Sequence, residues 1–141
     1  MQIVHLQDAR LLVWANERLG QSFHPSQCRW VAGLVDGGID WVAVFSHFSN
    51  TNCTLSIATA GSKRWASRAM FRAVFAFPFL QWNLLRVTMI VDERNEVSLK
   101  MLRRQGRFTI GGREEGRMRD LFAEGVDGIV FGLLKKECAW I

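Results

Sequence analysis

The chain has no tyrosine, only two prolines and three cysteines in 141 residues. Without tyrosine there is no phenol to act as an acid, so a proton donor must be another side chain. Cys28, Cys53 and Cys138 are odd in number and widely spaced, which argues against a disulfide framework. They read as reduced thiols of a cytoplasmic protein. His5, His24, His47 and the cysteines do not form a full ligand set at metal-ligand spacing, so no metal site is expected. No apolar run is long enough to span a bilayer, and the opening MQIVHLQDAR carries no basic-then-apolar signal. A membrane partner is therefore not expected. A Gly-x-Ser-x-Gly elbow is missing, and Gly61-Ser62-Lys63 lacks the glycine spacing of a P-loop. Internal repeats and low-complexity segments are absent as well.

What is present describes a globular chain. Hydrophobic residues make up 49% and include six tryptophans, too many for a disordered segment. The length suits one domain, residues 1–141, with a core that needs no staples. A net charge of +5 and a sequence pI near 9.7 favour an anionic partner. Nucleic acid is a weak candidate for it. Arg103, Arg104, Arg107, Arg113, Arg117 and Arg119 fall on a helix end and a strand without the interleaved aromatics of a stacking platform.

Periodicity lays out the elements. Residues 3–6 form a short strand, and Asp8 caps a helix whose Leu12, Ala15 and Leu19 share a face before Gly20 stops it. Residues 21–27 form a loop or a broken second helix. Residues 29–35 and 39–48 are strands joined through Asp36-Gly37-Gly38, a hairpin signal because glycine supplies positive φ. Trp41, Ala43, Phe45 and His47 share one face of the second strand. Residues 53–59 are the next strand. Ala66, Ala69, Met70, Ala73, Val74 and Phe77 then form the core face of a helix over 65–79, which Pro78 ends or kinks. The start of that helix, flanked by Lys63, Arg64 and Arg68, is the best anion site in the chain, since its first amides have no helical partner.

The run LLRVTMIVDERNEVSLKMLRRQGRFTIGGREE, residues 84–115, organises the rest. It reads as a buried strand over 84–91, a helix capped by Asp92 and a second strand after Gly106. Val97, Met101 and Leu102 make the apolar stripe of this helix, and Asn95 and Ser98 sit on an adjoining face. A turn at 125–128 and a final strand over 129–135 complete the list. The sum is a mixed α/β sheet. A polar pair on a rigid helix beside the end of a core strand stands where such sheets keep their ligands.

These residues carry a resemblance. The strand ending at Val91, then Asn95, Ser98, Leu102, Gly106, Phe108, Glu115-Gly116 and Arg119, resemble the second half of the GNAT fold of acetyl-coenzyme A-dependent N-acetyltransferases. The likeness is greatest to the branch that acetylates ribosomal-protein N-termini and to small phage-encoded relatives, and it covers about the C-terminal two-thirds of the chain. It implies a mostly antiparallel sheet of about seven strands with helices on both faces. It also implies that acetyl-coenzyme A is the co-substrate, an anionic partner as suitable as nucleic acid, and that the acceptor is an amine on a small molecule or a protein N-terminus.

Site residues follow from the same resemblance. Ile57, Ala58 and Thr59 pair their backbone with the pantetheine arm, if the sheet splays beside them. Lys63, Arg64, Trp65, Ala66, Ser67 and Arg68 stand where the family wraps the pyrophosphate with a glycine-rich turn, whose central glycine is missing here. Asn95 and Ser98 meet the pantetheine and thiol end. Many relatives protonate the departing thiolate with a tyrosine at the position of Leu102, which leaves the Ser98 hydroxyl as the acid. His47 is the candidate base, since an imidazole is the usual side chain for that role, though a histidine near a strand end also serves structure. Glu115 reads as structural or as a substrate edge. Residues 21–27 lie over the acceptor site in the family and are short here. The resemblance thus implies a direct transferase with no covalent enzyme intermediate, with two rivals: a non-catalytic acyl-coenzyme A-binding module and a basic nucleic-acid-binding protein. Abundant tryptophans make a homodimer reasonable.

Overall fold

In the computed structural model, residues 1–61, 66–103 and 109–141 are described. The elements run β1 (Gln2–Val4), α1 (Ala9–Leu19), β2 (Arg29–Val35), β3 (Gly38–Ser46), β4 (Asn52–Thr59), α2 (Arg68–Ala76), β5 (Arg86–Asp92), α3 (Glu96–Leu102), β6 (Arg113–Ala123) and β7 (Val126–Leu134). They build a seven-stranded sheet in the order β1-β2-β3-β4-β5-β7-β6. Every neighbouring pair is antiparallel except β4 and β5. The expected architecture is the one observed.

Alternation along the strands sends side chains to two cores, one on each face of the sheet. Trp41, Ala43 and Phe45 of β3 pack with α2, α3 and the inner residues of β5 and β7. Val42 and Val44 pack on the other face with Leu11, Leu12 and Ala15 of α1. Helix α1 has its expected ends: Asp8 accepts from the Arg10 amide, and Gly20 closes the last turn at φ 63°. The hairpin between β2 and β3 also forms as expected, with Asp36 at φ 52° and Gly37 at φ 78°.

Gly33 marks a close approach instead. A Cβ there would stand 2.1 Å from Nε1 of Trp41, an indole with no solvent exposure. Gly33→Ala is therefore expected to destabilise the fold by about 1–3 kcal/mol, the usual cost of overpacking a core. Thermal unfolding measures it, and an unchanged melting temperature would mean that the indole moves aside at no cost.

Several boundaries differ from the sequence reading, each for a physical reason. Strand β1 stops at Val4, and Gln7 replaces the missing backbone partner: its Nε2 donates to the Trp30 carbonyl at 2.8 Å and its Oε1 accepts from the Trp30 amide at 3.1 Å. Strand β3 stops at Ser46, because His47 turns into the left-handed region at φ 51°. His47 is exposed and does not share the face of Trp41 and Phe45.

Helix α2 begins at Arg68 and is capped by Ser67, whose side chain accepts from the Met70 amide. Its buried face is Met70, Phe71, Val74 and Phe75, while Ala69 is exposed. Burying a phenylalanine ring contributes about 1.5–3 kcal/mol, far more than an alanine methyl, so the helix turns its rings inward. Pro78 then interrupts the amide ladder and the chain makes one π turn, Phe77–Gln81, closed by the Trp82 amide on the Phe77 carbonyl at 2.9 Å.

Asn95, not Asp92, caps α3. Asp92 accepts from the Arg94 amide and pairs with its guanidinium at 2.7 Å. Val97 points to solvent, and Leu99, Met101 and Leu102 are the buried residues. Gly106 and Phe108, expected to end this helix and start a strand, lie outside the described residues. The last turn falls at Gly125, φ 76°, so Gly128 lies inside β7. A Cβ on Gly128 would meet Leu121 Cδ2 at 2.6 Å, so this glycine serves packing and not a turn.

Candidate active site

Strands β4 and β5 pair through Asn52↔Arg86, Cys53↔Val87 and Thr54↔Thr88, and there the ladder between them stops. Beyond this fork β4 runs on to Thr59 and β5 to Asp92. Their outer edges stay paired, β4 to β3 as far as Trp41↔Thr59 and β5 to β7 as far as Asp92↔Gly128. Their inner edges therefore face each other across an opening wedge. Backbone groups along such an edge need partners, and an extended ligand with amide groups supplies them. Ile57, Ala58 and Thr59 lie on this stretch. Ala58 turns its side chain into the core beside α1, so only its backbone can serve the wedge. The Thr59 carbonyl also accepts from Nη1 of Arg18 at 3.3 Å.

Because β4 and β5 are parallel, the two helices that follow them start at the same end of the sheet, the open end of the wedge. Helix α2 brings Ser67 as its cap and Arg68 as its first residue, with Ala66 just before. The Ser67 hydroxyl satisfies the Met70 amide at 3.1 Å. The amides of Arg68 and Ala69 precede the first intrahelical bond and remain donors for an anion. Lys63, Arg64 and Trp65, named with them from the sequence, lie outside the described residues.

Helix α3 brings Asn95 and Ser98. The Asn95 side-chain oxygen accepts from the Ser98 amide at 3.2 Å, so the two residues hold each other at the helix start. Asn95 is exposed and Ser98 half-buried, one turn before the buried Leu102. Among the described residues the Ser98 hydroxyl has no hydrogen-bond partner. It is free to donate.

His47 lies elsewhere. The register Ser46↔Thr54↔Thr88 sets Ser46 level with the fork, and His47 follows it away from the wedge. Ser46 is buried, and its Oγ lies 2.9 Å from Nδ1 of His47. The two border a cavity of about 560 Å³ between the end of β3 and the segment that follows α1, where Phe23, His24 and Cys28 form the opposite wall. The structure thus gathers the β4 edge, the start of α2 and the Asn95–Ser98 pair at the open end, and sets His47 at the closed end.

Sequence reasoning missed a polar cluster at the fork itself. Thr88 Oγ1 donates to Asn52 Oδ1 at 2.7 Å, and Arg86 Nε reaches both at 3.2 Å. Nη2 of Arg86 also pairs with Oε1 of Glu115 at 2.7 Å. Glu115 occupies a bulge of β6, between Glu114↔Phe131 and Gly116↔Val130, and a Cβ on Gly132 would stand 2.5 Å from its carboxylate. The hydrogen bond from Arg86 holds the Glu115 carboxyl below the usual carboxylate range. An anion held this way is a weak base. Local patterning carried no signal for the cluster, since β4, β5 and β6 each contribute part of it.

The thiols offer no nucleophile. Cys53 lies at the fork, and burial pushes its thiol up to about 12. Burial raises Cys28 and Cys138 as well. A thiolate is the reactive form, so none of the three suits a covalent acyl-enzyme at neutral pH. Among the described residues no three His, Cys, Asp or Glu side chains gather to hold a metal ion.

No protein-family model matches this sequence, and no curated protein is similar to it at the level of sequence. Solved structures are similar in shape. The spermidine/spermine N-acetyltransferase of Vibrio cholerae matches with a TM-score of 0.74 at 13% identity, over 96% of this chain and 92% of its own. A probable acetyltransferase matches with a TM-score of 0.69 at 20% identity, over 96% and 93%. The ribosomal-protein-alanine N-acetyltransferase of Brucella melitensis matches with a TM-score of 0.66 at 12% identity, over 95% and 99%. The chain has the fold of these acetyltransferases.

Proposed function

We propose that this chain moves an acetyl group from acetyl-coenzyme A directly to an amine. The observation that carries the reading is the wedge: a parallel strand pair that opens beyond Thr54↔Thr88, with two helix starts at its mouth. An extended pantetheine arm has amide groups to pair with the β4 edge at Ile57, Ala58 and Thr59. The cofactor's phosphates match the free amides of α2 beside Arg68, with Lys63 and Arg64 just before in sequence. Ala66 is small enough for close approach, and Ser67 fixes the helix start.

Bound acetyl-coenzyme A supplies an activated thioester; the protein supplies position and protons. Asn95 holds Ser98 at the wedge, and the Ser98 hydroxyl donates to the departing sulfur. The amine proton leaves through solvent or through His47, whose ring is held by Ser46. Direct transfer needs chiefly the alignment of two substrates, which suits a site with inert thiols. The three free cysteines fit a reducing cytoplasm.

The test combines binding and turnover. Acetyl-coenzyme A is expected to raise the melting temperature, because a ligand that binds only the folded state adds RT ln(1 + [L]/Kd) to its stability. Thiol release with a panel of amines is expected to exceed release without amine. A cofactor that shifts melting without any turnover would favour a non-catalytic acyl-coenzyme A-binding module. No shift at millimolar cofactor would remove both readings.

A further inference from the structure

We infer that the acceptor is a monoamine on an uncharged body and not a polyamine; the inference rests on the acetyltransferase reading above. Helices α2 and α3 occupy one face of the sheet, so the cofactor's route lies on that side. The other face is covered by α1, and beyond α1 lies the cavity bordered by Ser46 and His47. Ser46 is one strand from the fork, through Thr54 to Thr88. An amine entering this cavity approaches the fork from the face opposite α2 and α3.

The walls of that cavity decide what body the amine carries. They include the amides Gln21 and Gln27, the rings Phe23 and Phe48, and the imidazoles His24 and His47. No aspartate or glutamate lines it among the described residues. Residues 62–65 and 104–108, which lie outside those described, contain neither acid, and they add two lysine or arginine residues each. Glu115, the carboxylate that reaches the fork residue Arg86, is committed to that pair. A polyamine keeps further ammonium groups after its reacting amine is deprotonated, and each adds to binding only where a carboxylate faces it in a charge-assisted contact. Nothing on these walls serves them. Neutral amides and two phenylalanine rings suit peptide groups or an aromatic monoamine instead.

The experiment ranks amines at saturating acetyl-coenzyme A by kcat/KM: spermidine, phenethylamine, and a tetrapeptide with a free α-amine and uncharged side chains. The monoamines are expected to exceed spermidine by about tenfold or more, which is the loss of roughly one charge-assisted contact. Preference for the tetrapeptide identifies a peptide N-terminus as the source of the amine, and preference for phenethylamine a small molecule. The double variant Gln21→Glu, Gln27→Glu is expected to raise kcat/KM for spermidine several-fold and to do so more at low salt. Spermidine equal to or better than both monoamines would overturn the inference while leaving the transferase reading intact. Turnover of none of the three, with the cofactor still bound in a melting assay, would overturn the reading and the inference with it.

Discussion

Ser98→Ala is expected to lower kcat by about ten- to a hundredfold, the usual size of a general-acid effect. KM for acetyl-coenzyme A is expected to stay nearly unchanged. In the proposed role the hydroxyl's hydrogen bond to sulfur would strengthen only as charge develops on the departing thiolate, and so act mainly in the transition state. The geometry favours this role over capping. It is the Ser98 amide, not its hydroxyl, that takes part in the Asn95 cap, and alanine keeps that amide. The fold should therefore survive the substitution. Steady-state kinetics and melting on one preparation decide the matter: full kcat in a folded variant would leave the thiolate to water and withdraw Ser98 as the acid.

The second large effect concerns the phosphates. Replacing Lys63, Arg64 and Arg68 together by alanine is expected to weaken acetyl-coenzyme A by about tenfold or more at low ionic strength, since a charge paired with a phosphate in contact with solvent contributes up to about 1 kcal/mol. At 0.5 M salt the loss should shrink to a few-fold, because mobile ions screen exposed charges over about 4–5 Å at that concentration. Calorimetric titration at both salts measures it. Equal losses for coenzyme A and dephospho-coenzyme A would put these residues on the pyrophosphate, and a larger loss for coenzyme A on the 3′-phosphate. Unchanged affinity would remove the basic cluster from the site.

Most of the sheet was legible because its signals are local. Asp8, Gly20 and the Asp36-Gly37 turn act through hydrogen bonds and φ angles within a few residues, and all three appear as read. The helix faces were harder. A count of apolar positions ranks Ala69 with Phe71, whereas burial follows the area removed from water, and so α2 presents Phe71 and Phe75 to the core. Asp92 and Asn95 are both able to cap α3. The choice falls to Asn95 because Asp92 turns to the Arg94 amide and guanidinium.

The candidate site divides along the same line. Asn95 and Ser98 were legible as a polar pair at a strand end, and they stand at the wedge. The Asn52–Arg86–Thr88–Glu115 cluster was not, because only the parallel register of β4 with β5 and the bulge of β6 assemble it. His47 carries the imidazole expected of a base, but the strand alternation that would aim it at the site ends one residue before it. It stands at the closed end of the wedge, one residue past Ser46.

The most direct test of the central claim is amide hydrogen exchange with and without saturating acetyl-coenzyme A. Pairing of the pantetheine arm with the free edge of β4 would add backbone hydrogen bonds within residues 55–59, which have no strand partner on that side. Exchange there is expected to slow by about tenfold or more, with further slowing at the start of α2. Protection confined to other elements, with residues 55–59 exchanging as in the free protein, would contradict the wedge as the cofactor site.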